Sequence, residues 1–268
     1  MSYWDNRIAA VQDRISQKNI KQIQTRLRKY YKSLAQGVID DFEATYNKLL
    51  NTVVKGSQPT PADLYKLDKY WQMQGGLQQR LKSLNEKQSR LLFKMFKLNY
   101  QEVYDSLNLP YQEMFSTIDD GAIEQVINQI WCADGKSWSQ RIWENTAHLQ
   151  QTLEDGLLHC VATGKAPSEL KKILMDRFNV SFGRADALVR TEIAHIQTQA
   201  ARQRYRDYGI EQVEVLVDPD DRTCPICEKL SGKIYSINDK MPVPVHPRCR
   251  CCMIPVVKVP TRAVTTVE

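Results

Sequence analysis

Apolar residues fall at Ile20, Ile23, Leu27, Tyr30, Leu34, Val38, Phe42, Tyr46, Leu49 and Val53, always three or four positions apart. That interval averages close to the helical 3.6, so these side chains form one stripe on a single long helix. Ile8, Val11 and Ile15 carry the pattern upstream, and the step of five from Ile15 to Ile20 predicts a break or a phase shift. Gly37 is the only helix-weakening glycine inside the stripe. A helix of this length cannot bury its stripe against itself. It requires another long helix, from this chain or from a partner. Gly56-Ser-Gln-Pro-Thr-Pro61 then reads as a hinge at about 55–62. From Asp63 to Leu107 the pattern is helical again, with an interruption expected at Gly75-Gly76.

Asn108-Leu-Pro-Tyr111 punctuates the chain, and Ile123, Val126, Ile127 and Ile130 give the next helix one apolar face. Trp131, Trp138 and Trp143 surround an Asp134-Gly135 turn, and they are read as anchors that fix a loop into the core. The functional alternative is an aromatic platform for nucleic-acid bases. Helices are expected from Asn145 to Thr163 and from Pro167 to Phe178, with Gly164 capping the first and Pro167 opening the second. A further helix runs from Arg184 to Tyr208, closed by Gly209; its Glu192 and His195 are read as a helix-surface ion pair in preference to a catalytic couple. Glu211 to Val217 alternates like a strand, Ile234-Tyr235 and Met253 to Val257 supply two more, and the tail after Pro260 reads as extended. The fold class is therefore mainly α: long N-terminal helices and a helical middle, with a small C-terminal α+β module of the zinc-knuckle type. The expected regions are 1–107, 108–210 and 211–268.

Composition narrows the class. Over 268 residues, 42% hydrophobic and 25% charged content are ordinary for a globular protein. No run of about 18 apolar residues appears, so no membrane span is expected, and the opening Met1-Ser-Tyr-Trp-Asp5 has no apolar run of the secretory kind. The net charge of +6 permits contact with nucleic acid or an acidic protein surface. Much of it is concentrated. Arg14, Lys18, Lys21, Arg26, Arg28, Lys29 and Lys32 stand in a stretch with no acidic residue, and residues 80–97 hold six more basic residues against Glu86 alone. These charges form either a nucleic-acid or partner surface or simply a solvated helix face.

The richest chemistry lies near the end. Residues 218–252 contain five of the seven cysteines and one of the four histidines. Cys224-x-x-Cys227 is one metal knuckle, since two intervening residues let both thiolates turn toward one centre; His246-x-x-Cys249 is a second, with Cys251 two positions on. Two knuckles about 20 residues apart are the spacing of structural zinc sites. A redox Cys-x-x-Cys would follow a strand and open a helix, whereas Asp218, Pro219 and Pro225 surround this one with turn chemistry. An odd cysteine count, with Cys132 and Cys160 far upstream, argues against a disulfide framework. The expected ligands of one structural zinc are Cys224, Cys227, His246 and Cys249. Cys251 is held in reserve, because it shares a strand face with Cys249 while Cys252 points away.

These pieces, in this order, resemble the phage head morphogenesis family, also called minor head or minor capsid proteins and similar to the Mu F protein. The resemblance is carried by Tyr3-Trp4-Asp5-x-Arg7, by Gly135-Lys136-x-x-Ser139-x-Arg141-Ile142-Trp143, and by Leu188-Val189-Arg190-Thr191-Glu192. It is completed by Asp221-Arg-Thr-Cys-Pro-x-Cys227, Leu230-x-Gly232, Pro244 and His246-Pro-x-Cys-Arg-Cys251. It implies a low-copy virion component in the phage head, present in the host cytoplasm during assembly. It further implies association with the portal protein, and with major capsid or scaffold protein, and a part in head assembly and DNA packaging or ejection. Some relatives carry a fused C-terminal toxin or transferase domain; with only 16 residues after Cys252, none is expected here.

The expected function is thus a structural, DNA-handling protein without enzymatic activity, touching double-stranded DNA without reading sequence. The competing readings are a zinc-dependent nuclease and a free-standing zinc-ribbon DNA-binding protein. Hydrolysis needs an open metal position or a second metal held by carboxylates, and four thiolate or imidazole ligands would close the ion. The long helical N-terminal half is far larger than a ribbon regulator needs.

Overall fold

The long apolar stripe is one helix. In the computed structural model, which describes residues 3–53, 57–107, 118–217, 220 and 223–257 (side chains from residue 6 on), α1 spans Tyr3–Thr52 without interruption. The expected break after Ile15 is absent because polar residues take over the core-facing positions. Gln12, Ser16 and Asn19 are all buried, and with Ile23 they keep the helical steps of four, three and four. A pattern read from apolar residues alone registers that polar patch as a shift of phase.

A short helix, α2 (Pro61–Tyr65), follows the hinge, opened by a capping box in which Thr60 and Asp63 bond each other's backbone N–H groups. α3 spans Asp68–Ser106 and passes through Gly75-Gly76 unbroken. Two glycines cost a helix about 1 kcal/mol each, and the flanking buried residues Tyr70, Met73, Leu77 and Leu81 hold it together. α4 covers Asp120–Asn128, so Ile130 falls beyond it and is exposed rather than part of its apolar face. α5 spans Trp138–Thr163 and starts earlier than expected, because Ser137 and Gln140 form a second capping box ahead of Trp138. The tryptophans therefore do not act together: Trp138 is buried, Trp131 is half-buried, and Trp143 stands 46% exposed on α5. α5 ends at Gly164, which is left-handed (φ 62°) as a helix-capping glycine must be.

α6 is a single helix, Pro167–Asp207, in place of the two expected. Phe178, Ser181, Ala185 and Val189 are buried at steps of three and four, which carries the core face across Asn179 to Gly183. Glu192 and His195 are not a surface ion pair, for both are buried. The Glu192 carboxylate accepts a 3.0 Å hydrogen bond from Trp131 Nε1, and burial raises its pKa. Burial likewise pushes the His195 imidazole down to about 4. The expected punctuation at Asn108–Tyr111, the turn residues Asp218, Pro219, Asp221 and Arg222, the side chains of the Tyr3-Trp4-Asp5 motif and the tail after Pro260 lie outside the described residues.

The chain forms two compact units, each assembled from separate segments. The larger one, Asn19–Phe96 with Ile127–Glu192, is all helical. Its core joins Ile23, Leu27, Val38, Phe42 and Leu49 of α1 to Leu77, Leu84 and Leu92 of α3, with Leu149 and Leu153 of α5 and Leu170 and Leu174 of α6. Side-chain bonds fix the neighbours: Tyr31 meets Ser181 at 3.3 Å, and the Tyr46 hydroxyl donates to the Lys165 carbonyl at 2.7 Å. Gly37 matters here because the Arg80 guanidinium lies where a Cβ would be, on its way to a 2.9 Å ion pair with Asp41.

The other unit, Met1–Lys18, Lys97–Val126 and Ile193–Glu268, contains the only sheet among the described residues. Its strands are β1 (Gln212–Leu216), β2 (Ile234–Ser236) and β3 (Cys252–Pro255), antiparallel in the order β2-β1-β3. Val213 opposes Tyr235 on one side and Pro255 on the other. β3 is fully buried, and a polar network ties it to the helices. Ser16 donates to the Gln197 side-chain oxygen, whose amide donates to Gln12 at 3.1 Å; Gln12 and the Tyr205 hydroxyl both donate to the Met253 carbonyl, at 3.2 and 3.1 Å. Nearby, Arg204 is buried between the rings of Tyr104 and Tyr208 and donates to the Leu107 carbonyl.

Gln197→Leu removes the centre of that network and strands buried groups of Ser16 and Gln12. The expected loss is about 2 kcal/mol of unfolding free energy, measured by urea denaturation. The same change at Gln22, which is exposed on α1, is expected to stay within about 0.5 kcal/mol.

Candidate metal centre

The sheet delivers two knuckles to one place. After β1 the chain enters α7, a single turn from Pro225 to Glu228 with Cys224 at its N-cap. That turn points the backbone N–H of Cys227 at the Cys224 sulfur, 3.4 Å away. The second knuckle is closed by Cys249 N–H donating to the His246 carbonyl at 3.2 Å, with Arg248 in the left-handed region (φ 62°) to make the bend. Arg250 clamps the loop to Asp220 through two bonds of 2.8 and 2.5 Å. This pairing carried no signal in the sequence beyond opposite charge.

Five donors converge. The ligand atoms of Cys224, Cys227 and His246 lie within 4.8 Å of one another, as do those of Cys227, Cys249 and Cys251. Cys227 belongs to both groups. His246 Nε2 is 3.2 Å from each of the Cys224 and Cys227 sulfurs, and Cys227 is 3.8 Å from Cys249. For a tetrahedral zinc with ordinary bond lengths, sulfur–sulfur edges are about 3.8 Å and sulfur–nitrogen edges about 3.5 Å. The Cys227–Cys249 distance matches that sulfur–sulfur edge, and the two imidazole distances fall somewhat inside the sulfur–nitrogen one. Beside them lies a small cavity of about 30 Å³, lined by Cys224, Cys227, His246 and Cys251 together with Val217, Thr223, Arg248 and Arg250.

The imidazole is oriented for the task. His246 Nδ1 lies 2.9 Å from the Pro247 carbonyl, so the proton belongs on Nδ1 and the Nε2 lone pair faces the thiols. Burial pushes the Cys227 thiol up to about 12, while hydrogen bonding from Cys251 brings Cys249 down to about 5. The donor set is soft, compact and largely buried: Cys227, Cys249 and Cys251 are each less than 8% exposed. It suits a thiophilic ion such as zinc. All five residues singled out by spacing are brought together, and Cys252 instead opposes Leu216 in the ladder.

The basic residues stand elsewhere. Arg14, Lys18, Lys21, Arg26, Arg28, Lys29 and Lys32 are all exposed on α1. Lys18 is paired with Glu102 at 2.6 Å, and Arg28 covers the Phe182 ring at 5.3 Å. In the all-helical unit, the bonding of Tyr31 with Gln88 and of Arg80 with Asp41 lays α1 antiparallel beside α3. Of the second basic stretch, Arg80 pairs with Asp41 and Lys97 with Asp120. Lys82, Lys87, Arg90 and Lys94 remain exposed.

Residues 151–254 match the family model described as phage Mu protein F like protein. That segment runs from the middle of α5 through α6 and the sheet to Ile254, and so includes all five donors. No curated protein and no solved structure matches the chain.

Purified protein is expected to carry about one zinc per chain. Chelation should remove it with loss of protease resistance in 211–257 and little change in helical circular dichroism, since most helix lies outside the module. Cys227→Ser, which touches both donor groups, should cost more metal affinity than any other single substitution. A competition titration against a chromophoric chelator ranks the variants.

Proposed function

We propose that this chain, whose residues 151–254 match the phage Mu protein F like model, is a member of the phage head morphogenesis or minor head family and a low-copy minor capsid protein of the virion. It associates with the portal vertex and acts in head assembly and in DNA packaging or ejection. The family match over the segment that holds the metal cluster carries this reading. Its metal is structural. Four sulfur and nitrogen ligands leave zinc closed, whereas hydrolysis needs an open position, so the protein acts by binding and not by catalysis.

Each part has a task in this reading. The metal ties two loops into a module with little core of its own, and such binding is worth on the order of 10–16 kcal/mol in isolated zinc-finger peptides. The helical unit presents a basic outer face. Along α1, Lys21, Arg28 and Lys32 recur seven and four residues apart, which sets them on one side of the helix. The neighbouring α3 adds Lys87, Arg90 and Lys94. A surface of this kind tracks phosphates without reading bases, and its affinity comes from release of counterions.

Quantitative mass spectrometry of purified particles is expected to find the chain at a ring-like stoichiometry close to that of the portal and far below the major capsid protein. Absence from particles, or abundance equal to the shell protein, overturns the assignment.

Changing Arg26, Arg28, Lys29 and Lys32 to Gln separates a DNA face from a protein face. If DNA is the partner, the mutant binds random-sequence duplex more weakly, equally for all sequences, with a shallower salt slope. The wild-type affinity should drop roughly 10³-fold between 50 and 200 mM salt. A wild-type protein that ignores duplex at 50 mM salt, with portal association lost in the mutant, assigns the face to the portal.

A further inference from the structure

The cluster offers five donors to an ion that takes four, and the way they are grouped is informative. Cys224, Cys227 and His246 form one triad, and Cys227, Cys249 and Cys251 the other. A single tetrahedral ion must draw on both, with Cys227 in common. We propose that the centre has two alternative ligand sets: three thiolates with His246, and four thiolates in which Cys251 takes the place of the imidazole. The inference rests on the metal reading above and adds a second coordination state to it.

Position and burial support the exchange. His246 is half-exposed, and apart from the two thiols at its Nε2 its ring is held at Nδ1 by the adjacent Pro247 carbonyl. Cys251 is buried, within 4.8 Å of both the Cys227 and Cys249 sulfurs, and lines the same small cavity as His246. An imidazole swinging outward therefore leaves a vacancy that a thiol already adjoins. Arg250, between the two cysteines, is fixed to Asp220 by two bonds, so this part of the loop is held in place. Ring rotation at His246 is the smaller motion. Exchange releases the imidazole and takes up the Cys251 sulfur as thiolate, its proton passing to the departing His246 Nε2 or to solvent. No oxidant or further reactant is involved.

The consequence is a metal that stays bound while one knuckle lets go. With His246 released, the second knuckle loses its tie to the ion, and the exposed Val245 and the freed imidazole become available to another surface. The four-thiolate state keeps the remaining sheet module folded.

Cobalt(II) substitution in the full-length protein reads the ligand set directly, because each thiolate adds intensity to the sulfur-to-cobalt charge-transfer band. Wild type and Cys251→Ser are expected to give matching three-thiolate spectra at one cobalt per chain. His246→Ala should still bind one cobalt, with charge-transfer intensity raised by roughly one third as a fourth thiolate joins. The double variant His246→Ala/Cys251→Ser should lose affinity by a further factor of roughly 100. Helical circular dichroism of each variant reports whether it has folded. If His246→Ala binds cobalt no better than the double variant, or keeps the three-thiolate intensity, the exchange does not occur. If Cys251→Ser alone loses the three-thiolate spectrum, Cys251 is an ordinary ligand and the two-state scheme falls. If wild type takes up neither cobalt nor zinc, the metal reading itself fails, an outcome distinct from the others.

Discussion

The bond network around the Met253 carbonyl is the constraint on which the C-terminal unit depends. Gln12 from α1 and Tyr205 from α6 both donate to that one backbone oxygen, and Gln197 and Ser16 complete the chain behind Gln12. β3 is an edge of the sheet, where unpaired backbone groups are a hazard. Here a carbonyl on the outer side is occupied by side chains of two helices. The arrangement sets the position of β3 more narrowly than apolar packing would, because buried amides and hydroxyls tolerate little displacement before a partner is lost. β1 then pairs along β3 from Val213 to Leu216, and the first knuckle follows β1. A polar lock between helices thus determines where the cysteines arrive.

Beyond that lock the module has little to hold it. Its strands are five, three and four residues long, and its apolar core is small: Val213, Val215, Val217, Met253 and Ile254 with Ile237, Met241 and Val243. Loops of this composition lose more conformational entropy on ordering than so small a core returns. A metal held by the cluster, as proposed above, would tie residues 224 and 249 together where packing is weakest. The helical unit has the opposite character, with α1, α3 and α6 each presenting buried residues at helical spacing over many turns. It needs no staple.

What could be read from the chain follows this division. The cysteine–histidine cluster was legible because spacing within a knuckle is local: two residues between Cys224 and Cys227 dictate the turn wherever the loop lies. Gly164 and Pro167 were legible for the same reason, one as a left-handed cap and the other as a first-turn residue. Failures came where distant groups decided the outcome. Nothing near Gln12 or Ser16 announces that Gln197 will face them across 185 or 181 positions. Glu192 looked like a surface residue because its partner Trp131 is 61 residues away. The breaks expected at Gly75-Gly76 and around Asn179 to Gly183 rested on propensity, a local quantity of about 1 kcal/mol per glycine. Continuous burial on both sides outweighs it.

Charge illustrates the same competition between local pattern and assembled structure. The two basic stretches hold thirteen lysines and arginines against one acid in the sequence, yet folding brings acids from other elements to Lys18, Arg80 and Lys97. Exposed pairs of this sort contribute about 0–1 kcal/mol, so they reduce the field around the helices without locking the side chains to their partners. Lys21, Arg26, Lys29 and Lys32 on α1 and Lys82, Lys87 and Lys94 on α3 are exposed to solvent. An unpaired lysine can neutralise a phosphate and so release the polyanion's own condensed counterions, whereas a paired one must first give up its carboxylate. On the DNA reading proposed above, the useful part of the basic surface would therefore be smaller than the sequence count and would centre on Lys21, Arg26, Lys29 and Lys32, which form no ion pair among the described residues.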